Sequence, residues 1–213
     1  MRLSYSSAAA WWAGDVDKAI KMILHEDTAL PIRFESELKR ERAMAFGHGA
    51  HKMWELESKV TGYLPAIFKI PDFTVIATEL KMTKELPTGD TLSGVVDAVA
   101  INTDIPMILL VDYKTGTSFN DRQADVYHYL AHDNPEWLEE VGDFLPTHFM
   151  FLCLNKKTEQ VENTIIQLTY PKNQEEWELP EATTFTRGAN WICTVAEDIQ
   201  ADEMAMAKLG QVI

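Results

Sequence analysis

Asp112 and Lys114 stand two residues apart at the end of an apolar run, Ile108-Leu109-Leu110-Val111. On a strand, residues i and i+2 project from the same face, so these two charges point together and Tyr113 points away. Two charges at the end of a buried strand are costly to desolvate unless they are paired or bound to a metal. Asp97 adds a second carboxylate, inside the run Ser93-Gly94-Val95-Val96-Asp97-Ala98-Val99. The turn between the two runs, Asn102-Thr103-Asp104-Ile105-Pro106, is centred near residues 104–105. Asp97 and Asp112 lie at equal distances from that centre, so a hairpin there sets them side by side. Adjacent carboxylates repel, and a hard divalent cation relieves the repulsion.

The surrounding elements follow from hydrophobic period. Phe34, Leu38, Met44, Ala45, His51, Trp54, Leu56 and Val60 recur at helical spacing over residues 35–60, and Gly62 and Pro65 supply stop signals. A shorter amphipathic helix is expected over 4–24. The period then changes to two. Strands are expected at 74–80, 92–101 and 107–114, separated by Pro87-Thr88-Gly89-Asp90 and by the 102–106 turn. Short connections make these three a meander. A helix is expected near 120–132, a short helix after Pro135, strands at 148–154 and 161–170, a loop over Gln174 to Glu181, and a helix over 191–209. That order predicts an α/β domain with a mixed central sheet flanked by helices. It predicts one domain over 1–213, with a core near 35–170 and a C-terminal helix near 190–209. The chain shows no internal repeat and no low-complexity segment.

Several short motifs follow one another along this frame. Gly47 and His51 form Gly-x-x-x-His on the long helix. Gly94 and Asp97 form Gly-x-x-Asp on a strand. Asp112-Tyr113-Lys114-Thr115-Gly116 ends the next strand, and Gln123 and Tyr127 form Gln-x-x-x-Tyr on the following helix. In this order and on these element types, the set resembles the RecB-like branch of the PD-(D/E)xK nuclease superfamily. The motifs span about residues 47–127, and the opening Leu3-Ser4-Tyr5-Ser6 is also similar to that family's N-terminus. The resemblance implies a restriction-endonuclease-like core and metal-dependent hydrolysis of phosphodiesters. It implies a metal site made by His51, Asp97, Asp112 and the Tyr113 backbone carbonyl, with Lys114 orienting the attacking water and stabilising negative charge. It implies Mg²⁺ or Mn²⁺ as cofactor, with imidazole favouring Mn²⁺. Gln123 and Tyr127, on one helix face, would meet the DNA strand. Glu79 matches a loosely kept acidic position, either beside the ligands or at a second metal.

Some relatives carry four cysteines for an iron–sulfur cluster. This chain has Trp11, Trp12 and Gly14 at the early position and keeps Cys193 at the late one. Its two cysteines, Cys153 and Cys193, cannot supply such a cluster. Cys153 reads as a core residue, and both thiols are expected to be free in a reducing cytoplasm, or in a host's cytoplasm for a phage protein. No apolar run reaches transmembrane length, and the N-terminus does not read as a signal peptide.

The formal charge of −14 opposes non-specific DNA binding, which rests on Lys and Arg. Lys39, Arg40, Arg42 and Lys52 group on or near one helix and partly answer this, although acidity also simply maintains solubility. The blander alternatives are plain. His48 competes with His51. His25, His128, His132 and His148 have no supporting motif. Glu79 could be a charge at a strand end, Gln123 and Tyr127 ordinary helix residues, and Trp11 and Trp12 packing residues. The expected activity is a deoxyribonuclease, an exonuclease on DNA ends or single strands, as in recombination, repair or phage DNA processing. The alternatives are an endonuclease of the same fold and a non-catalytic DNA-binding or assembly module. A homo-oligomer, a helicase or another recombination protein is the expected kind of partner.

Overall fold

A computed structural model describes residues 1–24, 35–116, 119–155, 158–173, 176 and 179–210, with the backbone alone for 35–41 and 203. The side chains of Leu38, Lys39 and Arg40, all of His25 and Phe34, and part of the expected 174–181 loop lie outside the described residues.

The chain opens with β1 (Arg2–Ser4), α1 (Tyr5–Trp12) and α2 (Val16–Ile23). This corrects the single helix expected over 4–24. Ser4 caps α1 through a reciprocal box with Ser7, so helix cannot extend back through it. Gly14 at φ 79° then breaks the run, and Asp15 caps α2 by accepting from the Lys18 amide. The long helix is α3 (Glu35–Thr61), followed by a 3₁₀ turn (Ala66–Phe68).

Next come β2 (Thr74–Glu85), β3 (Thr91–Asn102) and β4 (Met107–Lys114), the expected antiparallel meander. β2 runs five residues beyond its expected end at 80, to Glu85. The β3–β4 register pairs Ala98 with Val111 and Val99 with Leu110, as a turn centred between residues 104 and 105 requires. After α4 (Arg122–Ala131) and α5 (Pro135–Val141), β5 (His148–Leu154) pairs parallel with β4, and β6 (Val161–Gln167) closes antiparallel on β5. β6 stops short of the expected residue 170. The six strands form one mixed sheet. β1 and β4 occupy opposite ends of the same edge of β3, with β1 parallel to it at 91–93 and β4 antiparallel at 98–102.

The C-terminal helix begins earlier than expected and is broken in two: α6 (Thr184–Ala201) and α7 (Glu203–Gly210). Thr183 and Thr186 form a capping box that starts α6. Asp202 ends it and caps α7, accepting from the amides of Met204 and Ala205 at 2.9 Å.

Alternation along the strands divides the core between the two sheet faces. Leu110 of β4, with Phe149, Phe151 and Cys153 of β5, packs with α1, α2, α4, α6 and α7. Leu109, Val111 and Tyr113, with Met150 and Leu152, pack under α3 and the 3₁₀ turn. There Trp54 and Phe68 flank the Tyr113 ring at centroid distances of 5.4 and 5.6 Å. Cys153 is buried in the core, and both cysteines are free thiols. Trp11 packs against the core, while Trp12 stays largely exposed with one edge on Trp191. No helix among the described residues is long and apolar enough to cross a membrane.

Candidate active site

The β3–β4 ladder delivers the first two groups. Its printed pairs end at Ala98 and Val111, and the next step of the same register sets Asp97 opposite Asp112. The Asp97 carboxylate turns along the strand end, and its Oδ2 accepts from the Tyr113 amide at 2.6 Å. That bond is local in origin: the strand presents the amide, and the carboxylate takes the place of a ladder carbonyl.

Asp112 is more enclosed, with its side chain 13% exposed. Its Oδ1 accepts from Gln123 Nε2 at 2.6 Å, and the Lys114 ammonium lies 2.6 Å from Oδ2. Lys114 is thus the direct charged partner of Oδ2, and Gln123 that of Oδ1. Burial pushes the Asp112 carboxyl up; Lys114 pulls it back, the Asp97 charge adds to the rise, and the result is about 6. This is a carboxylate short of positive charge.

His51 approaches from α3, with Nδ1 3.7 Å from Asp97 Oδ2. Burial pushes the imidazole down, but Asp97 and then Asp112 outweigh it, and the net direction is up. The glycine one turn earlier has a steric reason: a Cβ on Gly47 would stand 3.0 Å from the Thr115 hydroxyl oxygen, just past Lys114. The small residue lets α3 approach the end of β4. His48 is exposed and takes no part.

Glu79 lies between Thr78, paired with Ala98, and Leu80, paired with Val96, so it stands across from Asp97 on β2. Its φ of 52° interrupts the ladder there. Its side chain is exposed, and burial, Asp97 and Glu55 together push its carboxyl up. Glu79 thus adds negative charge to the same end of the sheet.

Tyr127 behaves differently from Gln123, although both lie on α4. Gln123 touches a carboxylate, whereas the Tyr127 hydroxyl donates to the Val95 carbonyl at 2.9 Å and fastens α4 to β3. Gly94 makes room for that contact, since a Cβ there would meet Leu130 at 2.9 Å and Tyr127 at 3.1 Å. Of the basic grouping expected on α3, the side chains of Lys39 and Arg40 lie outside the described residues, and Arg42 is exposed. Lys52 is paired with Glu55 at 2.7 Å, and Lys59 pairs with the same carboxylate.

The donor chemistry fits a hard divalent cation: two neighbouring carboxylates that raise each other's charge cost, with an imidazole beside them. Among the described residues, no three His, Cys, Asp or Glu side chains converge closely enough to hold an ion as they stand. Lys114 lies where Asp112 would otherwise be open, so holding an ion requires this side chain to move.

Reasoning from motifs did not find Arg2 and Lys81, which line a cavity beside Tyr127. Both were ordinary charged residues in sequence, and only the parallel placement of β1 brings Arg2 there. It also missed the pair Asp125 and Arg187, joined by two hydrogen bonds at 2.8 and 3.0 Å.

The chain matches a family model described as the PD-(D/E)XK nuclease superfamily over residues 7–209. No curated protein sequence matches it. A solved structure titled "Crystal structure of SSO0001" is similar to 95% of this chain and 77% of its own, at 13% identity and a TM-score of 0.42.

Proposed function

The chain belongs to the PD-(D/E)XK nuclease superfamily, and from that premise we propose that it hydrolyses DNA phosphodiesters with a divalent metal at Asp97 and Asp112. The observation that carries this reading is the enclosed Asp112 carboxylate, raised to about 6 beside a second carboxylate, Asp97, with Lys114 as its one close cation.

His51, Asp97, Asp112 and the Tyr113 carbonyl would hold Mg²⁺ or Mn²⁺, with Glu79 at the margin. The ion supplies Lewis-acid polarisation of the scissile phosphate and neutralises charge that builds in the transition state. Gln123 keeps the Asp112 carboxylate facing the site through its amide. Lys114, released from Asp112, directs its ammonium at the phosphate oxygens and holds the attacking water in line. His51 stays beside Asp97 and keeps that carboxylate oriented. The reaction adds water across the phosphodiester and yields one phosphate-terminated and one hydroxyl-terminated product.

We favour single strands or duplex ends as substrate, in recombination, repair or phage DNA processing, with the chain acting as one domain. The RecB-like motif order from Gly47 to Tyr127 supports this subclass. The test is incubation with linear and closed circular DNA in Mn²⁺, Mg²⁺ or EDTA, beside Asp112→Ala and Lys114→Ala. Metal-dependent loss of linear DNA alone is expected. Cutting of circles would make it an endonuclease. Activity in EDTA, or undiminished activity in both variants, would overturn the mechanism.

A further inference from the structure

A cavity of about 230 Å³ opens where β1, β2 and β3 meet the start of α1. Two cations line it, Arg2 and Lys81, with the hydroxyls of Ser4, Ser6 and Ser93. No carboxylate lines it. In a chain with 33 acidic residues against 19 basic ones, such a lining selects an anion.

Each cation is placed by the backbone. Arg2 lies on β1, parallel to β3, and its Nε donates to the Ser93 hydroxyl at 3.2 Å. Lys81 lies on β2 opposite Val95 and has no ion-pair or hydrogen-bond partner among the described residues. The cap and first residues of α1, Ser4, Tyr5 and Ser6, form part of the lining, at the helix end that favours negative charge. The remaining wall is the Tyr5 and Tyr127 rings, flat surfaces suited to a sugar or base. The volume is below the roughly 300–1,000 Å³ of a pocket that encloses a whole small molecule, and suits a single group.

The cavity also adjoins the carboxylates. Val95 lies on its rim and Asp97 is two residues further along β3, about 7 Å at strand rise. Tyr127 joins the cavity to the α4 face that carries Gln123.

We propose that this cavity binds a phosphate of the DNA strand other than the one being cut, and so sets the position of the strand over Asp97 and Asp112. The proposal rests on the reading of the chain as a DNA phosphodiester hydrolase. The bound phosphate could be internal or terminal, and the chemistry of Arg2 and Lys81 serves both.

The experiment measures cleavage kinetics in Mn²⁺, and affinity in EDTA by fluorescence anisotropy, for wild type, Lys81→Glu, Lys81→Arg and Arg2→Gln. The substrates are linear oligonucleotides with a 5′-phosphate or a 5′-hydroxyl, and a closed single-stranded circle. Thermal melts confirm that each variant is folded. Lys81→Glu should raise KM about tenfold, with kcat changed by less than about twofold, and should lower the salt slope of binding by about one. Lys81→Arg should restore binding, and Arg2→Gln should weaken it in the same direction. A preference for the 5′-phosphate that Lys81→Glu removes marks a terminal phosphate. An equal loss of affinity on all three substrates, the circle included, marks an internal one. Unchanged KM, affinity and salt slope in a folded, active Lys81→Glu protein would overturn this inference alone. A wild type that neither binds nor cuts any DNA would overturn the underlying function and this inference with it.

Discussion

α4 serves two carboxylate–cation pairs, and they differ in completion. On its own inward face, Asp125 meets Arg187 of α6 in a two-pronged arrangement, with hydrogen bonds at 2.8 and 3.0 Å. Burial pushes the Asp125 carboxyl up and Arg187 pulls it back, while Asp125 in turn holds the guanidinium up. A guanidinium does not deprotonate in proteins, and two aligned bonds match its fork, so the pair stays ionised. Near the start of the same helix, Gln123 reaches Asp112, whose one close cation, Lys114, stands against two carboxylates, Asp112 itself and Asp97. The first pair is finished by protein atoms. The second is left short of positive charge. The balanced pair locks α6 to α4, whereas the pair with surplus negative charge has the electrostatics that a cation would relieve.

That contrast can be broken by substitution. The largest effect should come from Lys114→Ala, which should slow metal-dependent cleavage by about 10²–10³-fold at saturating substrate while leaving the melting temperature within a few degrees. Rapid-quench kinetics and a thermal melt measure the two quantities. Arg187→Ala should invert the pattern. It leaves Asp125 buried and unpaired, a loss of about 3–5 kcal/mol and a melting temperature lower by roughly 10 °C, with cleavage per folded molecule near wild type. Gly188→Ala probes the same helix contact more gently. A Cβ there would lie 2.0 Å from the Asp125 carbonyl oxygen, so backbone must shift. Denaturant unfolding should show a loss of about 1–3 kcal/mol.

The smallest effect concerns pH. The Asp112 carboxyl is raised from its ordinary value of 3.8 to about 6 in the folded chain. Folding therefore favours its protonated form, and ionisation subtracts stability as pH rises from about 4 to about 6. Below that window the subtraction is absent, and above it the subtraction is complete. In EDTA, Asp112→Asn should thus melt higher than wild type at pH 8, and the difference should disappear at pH 4. A stabilisation that grows as pH falls would contradict the assigned environment of Asp112.

How much of this was legible in sequence depended on locality. The juxtaposition of Asp97 and Asp112 followed from counting outward from a short turn, because a hairpin register propagates without choice. The expected α3 and the meander were legible because their periods run long enough to read. β1 was not, since three residues carry no period, and its partner β3 lies some ninety residues away. For the same reason Arg2 gave no sign that it faces Lys81. The α6 start was visible in principle in Thr183 and Thr186, but a threonine in place of the usual Glu or Gln makes a faint capping signal. Gly47 was noticed only as a motif member, and its contact with Thr115 supplies the steric reason. His128 is fully buried, bonded to Thr184 and pushed down to about 3 by burial, then by His132 and Arg187.

The most direct test of the central claim sets Asp112→Asn against Arg187→Ala on one labelled linear DNA, in Mn²⁺, under single-turnover conditions. The account predicts that Asp112→Asn is folded and loses cleavage by about a thousandfold, while Arg187→Ala melts early yet cuts at nearly the wild-type rate below its melting temperature. Cleavage by Asp112→Asn at the wild-type rate would contradict it.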